Sequence, residues 1–146
     1  SLQALDLHPE TVTVPPWVAG LGVETLARAF NALGPLQVLN AQAGSLHAAG
    51  WATPDGQLTD VLEDVGRHNA LDKLLGRLAL AGRLEKPGFV VMTSRTSYEL
   101  VRKCARLGVP ALATISAPTG LALQLAREAG MQLWGMCRPP AAVRYV

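Results

Sequence analysis

One run of residues, Glu63-Asp64-Val65-Gly66-Arg67-His68-Asn69-Ala70-Leu71-Asp72-Lys73, concentrates the polar chemistry of this chain. An apolar, β-leaning stretch from Leu58 to Leu62 precedes it, and Leu71, Leu74, Leu75 and Leu78 follow at helical spacing. The pattern predicts a strand ending near Asp64, a sharp turn at Gly66 and a helix starting near Arg67. Arg67, His68 and Asn69 then stand at a helix N-terminus, where free N–H groups and the macrodipole favour anions. Two readings fit such a corner. It is either helix capping with surface charge, or a seat for a phosphate or a polar ring. Asp64 and His68 are candidates for an orienting pair across it.

Two further stretches have the same character. Thr93-Ser94-Arg95-Thr96-Ser97-Tyr98-Glu99 follows the apolar run Phe89 to Met92, and Ser116-Ala117-Pro118-Thr119-Gly120 follows Ala111 to Ile115. In open α/β sheets ligands gather beyond the carboxyl ends of the strands. Taken singly, Ser97 and Thr119 read as N-caps. Taken together, three converging corners, two of them with an arginine, resemble a site for a phosphate-bearing ligand. His47 either packs in the core or faces that site. Cys104 reads as a small core residue. Cys137 beside Arg138 invites a lowered thiol pKa, because a neighbouring cation favours the thiolate. No spacing supports a Ser/His/Asp arrangement.

The elements that must position these residues follow from periodicity and turn signals. Ser1 to Pro16, with Pro9, Pro15 and Pro16, reads as a surface arm, and residues 17–146 as one domain. Val23, Leu26, Ala27, Phe30 and Leu33 fit an amphipathic helix ended by Gly34-Pro35, with Leu36 to Gln42 as a second short helix. Leu46 to Thr53 and Gln57 to Asp64 are predicted to form a hairpin around Pro54-Asp55-Gly56. Next come a helix from Arg67 to Ala81, a buried parallel strand Phe89 to Met92, and a helix from Ser97 to Leu107. A strand Ala111 to Ile115, a helix Thr119 to Ala129 and a last strand Gln132 to Cys137 complete the chain. Repeated βα units imply an α/β fold: a three-layer α-β-α sandwich around a mixed, mostly parallel, five-stranded sheet.

Composition narrows the function. The 146 residues are 49% hydrophobic, enough for one packed core. A formal net charge of +2 gives no argument for nucleic acid. No apolar run approaches the roughly 20 residues that span a bilayer, so no membrane role is expected. Two cysteines far apart in sequence form neither a disulfide framework nor a zinc knuckle, and a reducing cytoplasm is the expected setting.

From about Gln37 to Tyr145 the chain resembles the formate dehydrogenase accessory sulfurtransferase family (FdhD). Glu63 to Lys73 reproduces that family's EDVGRHNALDK block unchanged. Ala43-Gly44-Ser45-Leu46-His47-Ala48-Ala49 corresponds to TGGxHAA, with Ala43 and Ser45 departing. Thr93 to Glu99 corresponds to SGRxSxE, departing at its first two positions, and Ser116-Ala117-Pro118-Thr119 matches SAPT. Gly135-Met136-Cys137-Arg138 corresponds to GFxR, with Met in place of Phe.

The resemblance implies that sulfur is taken from a cysteine desulfurase and passed to the bis-guanine-dinucleotide molybdenum cofactor, which formate dehydrogenase then uses. GDP is a plausible mimic of that cofactor. The resemblance places cofactor contacts on Met136, Cys137, Arg138, Pro139, Pro140 and Ala141. These join His47, Asp64, Arg67, His68, Asn69, Ser94, Arg95, Ser97, Ser116 and Thr119 as the candidate set. It also implies a homodimer, and a sulfur-carrying CGxCG loop just upstream of Ser1, so that no catalytic cysteine is expected within this chain.

The same resemblance implies a cytidine deaminase-like fold. Zinc deaminases need H-x-E and P-C-x-x-C at two helix starts. Here those positions read His68-Asn69-Ala70 and Ser94-Arg95-Thr96-Ser97, so neither deamination nor zinc is expected. Two rivals to sulfur transfer stay open: a guanine-nucleotide-binding module that has lost the relay, and a protein-docking domain.

Overall fold

The alternation of small and large apolar residues along each strand sends successive side chains to opposite faces of one sheet. The computed structural model describes residues 11–37 and 46–146 and shows how each face is covered. A 3-10 turn, Pro16–Gly20, leads into α1, Val23–Leu36. The hairpin strands β1, His47–Ala52, and β2, Leu58–Asp64, precede α2, Arg67–Leu80. Then come β3, Phe89–Met92, α3, Tyr98–Arg106, β4, Ala111–Thr114, and α4, Gly120–Ala129. The last strands are β5, Gln132–Gly135, and β6, Val143–Arg144.

The strand order is β2-β1-β3-β4-β5-β6. β3, β4 and β5 run parallel, β1 is antiparallel to both its neighbours, and β6 is antiparallel to β5. The sheet therefore has six strands rather than the expected five, and antiparallel pairings outnumber parallel ones. A two-residue strand placed after Pro139-Pro140 has no alternation to betray it.

Ala49, Trp51, Val90, Met92, Leu112 and Leu133 face α2, α3 and α4. Ala48, Ala52, Phe89, Val91, Ala111, Ala113 and Trp134 face α1 and the 3-10 turn. This is the expected α-β-α layering. Leu71, Leu74, Leu75 and Leu78 are all buried, as their spacing requires. No described helix is long and apolar enough to cross a membrane.

Two boundaries differ from expectation. α1 runs through Gly34-Pro35 to Leu36 instead of stopping there. Proline in the last turn forfeits one N–H, and its usual clash with the preceding residue is relieved because Gly34 has no Cβ. The second short helix expected up to Gln42 lies largely outside the described residues. The expected arm is not free beyond residue 10. Val12 is 5% exposed, and its N–H donates to the Ala129 carbonyl at 2.8 Å.

One ion pair ties the loop after α2 to the sheet. Asp60 of β2 is 8% exposed, and both its oxygens accept from Arg83, one of these contacts at 3.1 Å; Arg77 lies 3.9 Å away. The Arg83 hydrogen bond, helped by Thr59, holds the Asp60 carboxyl below the usual carboxylate range despite its burial. A depressed folded pKa adds stability that is complete above the ordinary carboxylate value near 3.9 and is lost as pH falls through the lower folded value. Asp60→Asn should therefore cost about 1–3 kcal/mol at neutral pH. It should also flatten the loss of stability on acidification below about pH 4. Urea titrations of both proteins across that range check it; parallel acid branches would remove Asp60 as the cause.

Candidate functional site

Because β1 opposes its neighbours, its first residue lies beside the last residues of the others. His47 pairs with Asp64, Ala49 with Met92, Met92 with Thr114, and Ala113 with Trp134. Hence His47, Asp64, Thr93, Ile115 and Met136 all stand at one edge of the sheet. The three expected corners and the segment from Met136 to Ala141 come together there.

At the first corner Asp64 organises the turn. Its carboxylate accepts from the Gly66 N–H at 3.0 Å, from Lys73 Nζ at 2.7 Å and from Asn69 Nδ2 at 3.5 Å. The Gly66 N–H above all, with Lys73, keeps its carboxyl below the usual range. Lys73 also donates to the Glu63 carbonyl at 3.0 Å. The expected Asp64–His68 pair does not form, because Asp64 is taken up by these groups. His68 Nε2 instead lies 3.6 Å from Glu99 Oε2 and links the start of α2 to that of α3. No side chain caps α2, and the half-buried Arg67 keeps its Nε buried without a partner among the described residues.

The second corner is sewn to β1. Thr93 N–H donates to the Ala48 carbonyl at 3.1 Å, and Ala48 N–H donates to Thr93 Oγ1 at 2.9 Å. Ser94 is 3% exposed, and its hydroxyl is committed to the Arg95 carbonyl at 3.1 Å. Ser94 thus holds the loop, whereas Arg95 points into solvent. Ser97 occupies the N-cap position of α3 yet makes no capping bond; its Oγ is buried without a partner among the described residues. At the third corner Thr119 does cap its helix, accepting from Ala122 N–H at 3.1 Å.

The C-terminal turn completes the edge. Met136 adopts φ +52°, a left-handed conformation that a bulky residue rarely takes outside a constrained site. Its N–H donates to the Ser116 carbonyl at 3.2 Å, and Cys137 N–H to the Thr114 carbonyl at 3.1 Å. Gly135 is required just before it, since a Cβ there would stand 2.6 Å from the Ser116 oxygen and 2.9 Å from the Tyr145 ring. Arg138, Pro139, Pro140 and Ala141 are exposed. Between this turn and the end of α1 lies a groove of about 300 Å³, lined by Phe30, Leu33, Gln37, Ile115, Cys137 and Arg138 among others. Sequence reading did not anticipate the α1 residues, whose apolar spacing signals only a core face. A larger recess of about 440 Å³, lined by Trp17, Leu84 and Pro110, sits away from all of these polar groups.

Charge at the edge is uneven. Lys73 pairs with Asp64, and His68 lies 3.6 Å from Glu99. Arg67, Arg95 and Arg138 form no ion pair among the described residues. Three uncommitted guanidinium groups beside three helix starts suit a polyanion. Among the described residues no three His, Cys, Asp or Glu side chains gather as a metal's ligands would.

Comparison with known proteins identifies the lineage. The model of the FdhD/NarQ family matches residues 3–146. The chain belongs to this family. It is 49% identical over 145 residues to sulfur carrier protein FdhD of Burkholderia cenocepacia, a match covering 99% of this chain and 52% of that protein. With sulfur carrier protein FdhD of Chromobacterium violaceum the identity is 51% over 145 residues, covering 99% and 54% respectively. The chain thus spans about half the length of the curated relatives it matches. Its fold is similar to the crystal structure of a protein from Desulfotalea psychrophila assigned as a formate dehydrogenase accessory protein. There the TM-score is 0.80 at 30% identity, over 95% of this chain and 58% of that one.

The cysteines correct one expectation. Cys137 is 2% exposed, and burial pushes its thiol up to about 12 instead of Arg138 drawing it down. The Arg138 side chain is exposed and screened by water, while the sulfur faces the core and donates to the Gly135 carbonyl at 3.6 Å. Cys104 is fully buried, and its thiol is likewise pushed up to about 12. Both thiols should resist a disulfide reagent in the native protein at neutral pH and react fully in urea. Rapid native labelling of either one, read by intact mass, would contradict this assignment.

Proposed function

We propose that this chain is the substrate-cradling part of a sulfurtransferase. It holds the bis-guanine-dinucleotide molybdenum cofactor while sulfur arrives from a cysteine desulfurase, for delivery to formate dehydrogenase. The observation that carries the reading is the convergence of Arg67, Arg95 and Arg138 with three strand-to-helix corners on one sheet edge. The family membership and the names of the relatives support it.

The residues fit a molecule of this kind. Arg67 Nε and Ser97 Oγ are buried at neighbouring helix starts without partners among the described residues, a cost that an anionic oxygen at that place would relieve. Arg138 and the exposed turn through Ala141 offer a charged wall beside the apolar groove at α1. His47, His68, Asn69, Ser116 and Thr119 frame the same edge. Up to β5 the order α-ββ-αβαβαβ is the one expected of a cytidine deaminase-like scaffold, and β6 is added after it. Its two helix starts carry Asn69, Ala70, Ser94 and Ser97, which lack the side chains a deaminase zinc site requires. In this reading the protein works as a cytoplasmic homodimer, and the persulfide rides on a CGxCG loop upstream of Ser1. A carrier must expose a thiolate on a mobile segment, which neither Cys104 nor Cys137 can do.

Calorimetric titration with GDP tests the cradle. Binding is expected, and Arg67→Ala should weaken it by about 1.5–3 kcal/mol, the range for a charged hydrogen bond. Its melting temperature without ligand should not fall, because the substitution removes an unsatisfied buried donor. Absence of heat at millimolar GDP would count against the site, and unfolding of the ligand-free variant would make Arg67 structural. Sulfur transfer needs a separate assay: labelled sulfur passed through a desulfurase should load a version carrying the upstream loop and leave this chain unlabelled. Label on this chain that disappears in Cys137→Ala would move the carrier to Cys137.

A further inference from the structure

Thr96 and Thr114 are both completely buried where the sheet runs out. Their hydroxyls bond to each other, and Thr114 Oγ1 also donates to the Ser116 carbonyl at 3.1 Å. A hydroxyl has a single proton. Thr114 directs its proton to Ser116, so the proton between the two threonines belongs to Thr96. The Ser116 carbonyl also accepts the Met136 N–H at 3.2 Å. The bonds therefore form a directional chain, from Thr96 through Thr114 to the carbonyl on which the left-handed Met136 is anchored. Two backbone bonds brace it, Thr119 N–H to the Thr96 carbonyl and Cys137 N–H to the Thr114 carbonyl, each at 3.1 Å. Thr96 and Pro118 also form a β-bridge beyond the named strands.

Valine would fill these two buried positions with the same shape and no polar atom to desolvate. Among the described residues the hydroxyls satisfy, apart from each other, only Ser116 at the third corner. Each bond in such a chain polarises the next, and low dielectric makes a broken link costly. We infer that Thr96 and Thr114 are positioning residues that couple the α3 corner to the Met136–Ala141 turn, so that Arg95 and Arg138 meet one anionic ligand in a fixed relative placement. The inference rests on this edge being the binding site.

The test uses the full chain with isosteric substitutions and two readouts. The first needs no ligand: amide hydrogen exchange at Met136 and Cys137, followed by NMR. Exchange there should accelerate in Thr114→Val and also in Thr96→Val, although among the described residues Thr96 has no hydrogen bond to Ser116 or Met136. The second is GDP affinity. Thr114→Val should bind about tenfold more weakly, the effect of one lost neutral hydrogen bond, and Thr114→Ser should restore binding. A purely structural threonine would lower the melting temperature and leave the affinity of the folded protein unchanged. Unchanged Met136 exchange in Thr96→Val, or wild-type GDP affinity in Thr114→Val, overturns the coupling. If the wild-type protein itself binds no GDP, the functional reading fails, and the exchange measurement still decides the coupling.

Discussion

Where strands end together, their backbone groups lose sheet partners together, and buried N–H and C=O groups must find other partners. At the carboxyl edge of this sheet that constraint is met by neighbouring loops. Thr93 returns to β1, Thr119 to Thr96, and Met136 and Cys137 to Ser116 and Thr114. The second and third corners and the Met136 turn are thus tied by hydrogen bonds to β1 or to one another. None of them is an independent loop, and the site has a defined shape although most of its residues lie outside helices and strands.

The electrostatics follow from the same local economy. Asp64 serves the Gly66 turn and Lys73, and Glu99 meets His68, so these acidic residues at the corners are matched by nearby donors. What remains uncommitted is cationic. On a chain whose formal net charge is only +2, the useful quantity is this residue of local pairing rather than the total. A net charge that gives no argument for nucleic acid and the presence of an anion-favouring edge are therefore compatible.

Much of this was visible in sequence, and the misses have physical causes. The leucine period of α2 and the unbroken apolar run Phe89 to Met92 reported their elements directly, because both are set by burial against a single sheet. The Glu63 to Lys73 block located the first corner. What it could not reveal was pairing: Asp64 takes the Gly66 N–H two residues on and Lys73 about two helical turns further, while His68 lies against Glu99. Cys137 misled because sequence shows the adjacent Arg138 but not that successive residues leaving a strand point to opposite sides. Thr96 and Thr114 went unremarked because a threonine near apolar strand residues signals β propensity, and only the fold brings positions 18 residues apart into hydroxyl contact.

Local rules are broken at this edge in a way that is informative. Gly66 heads α2 without a side-chain cap, Ser97 is a capping residue that does not cap, and Met136 holds a conformation suited to glycine. Arg67 buries a donor that no described residue accepts. Each costs stability, and each could be relieved by a common substitution. The opposite ends of the helices obey the rules, with α3 and α4 stopping at left-handed Gly108 and Gly130. α2 and α3 thus end conventionally yet start without a side-chain cap, whereas Thr119 caps α4, so the unsatisfied groups gather at the first two corners. An acceptor placed at this edge would satisfy those groups, so what they withhold from the free protein they would contribute to a complex.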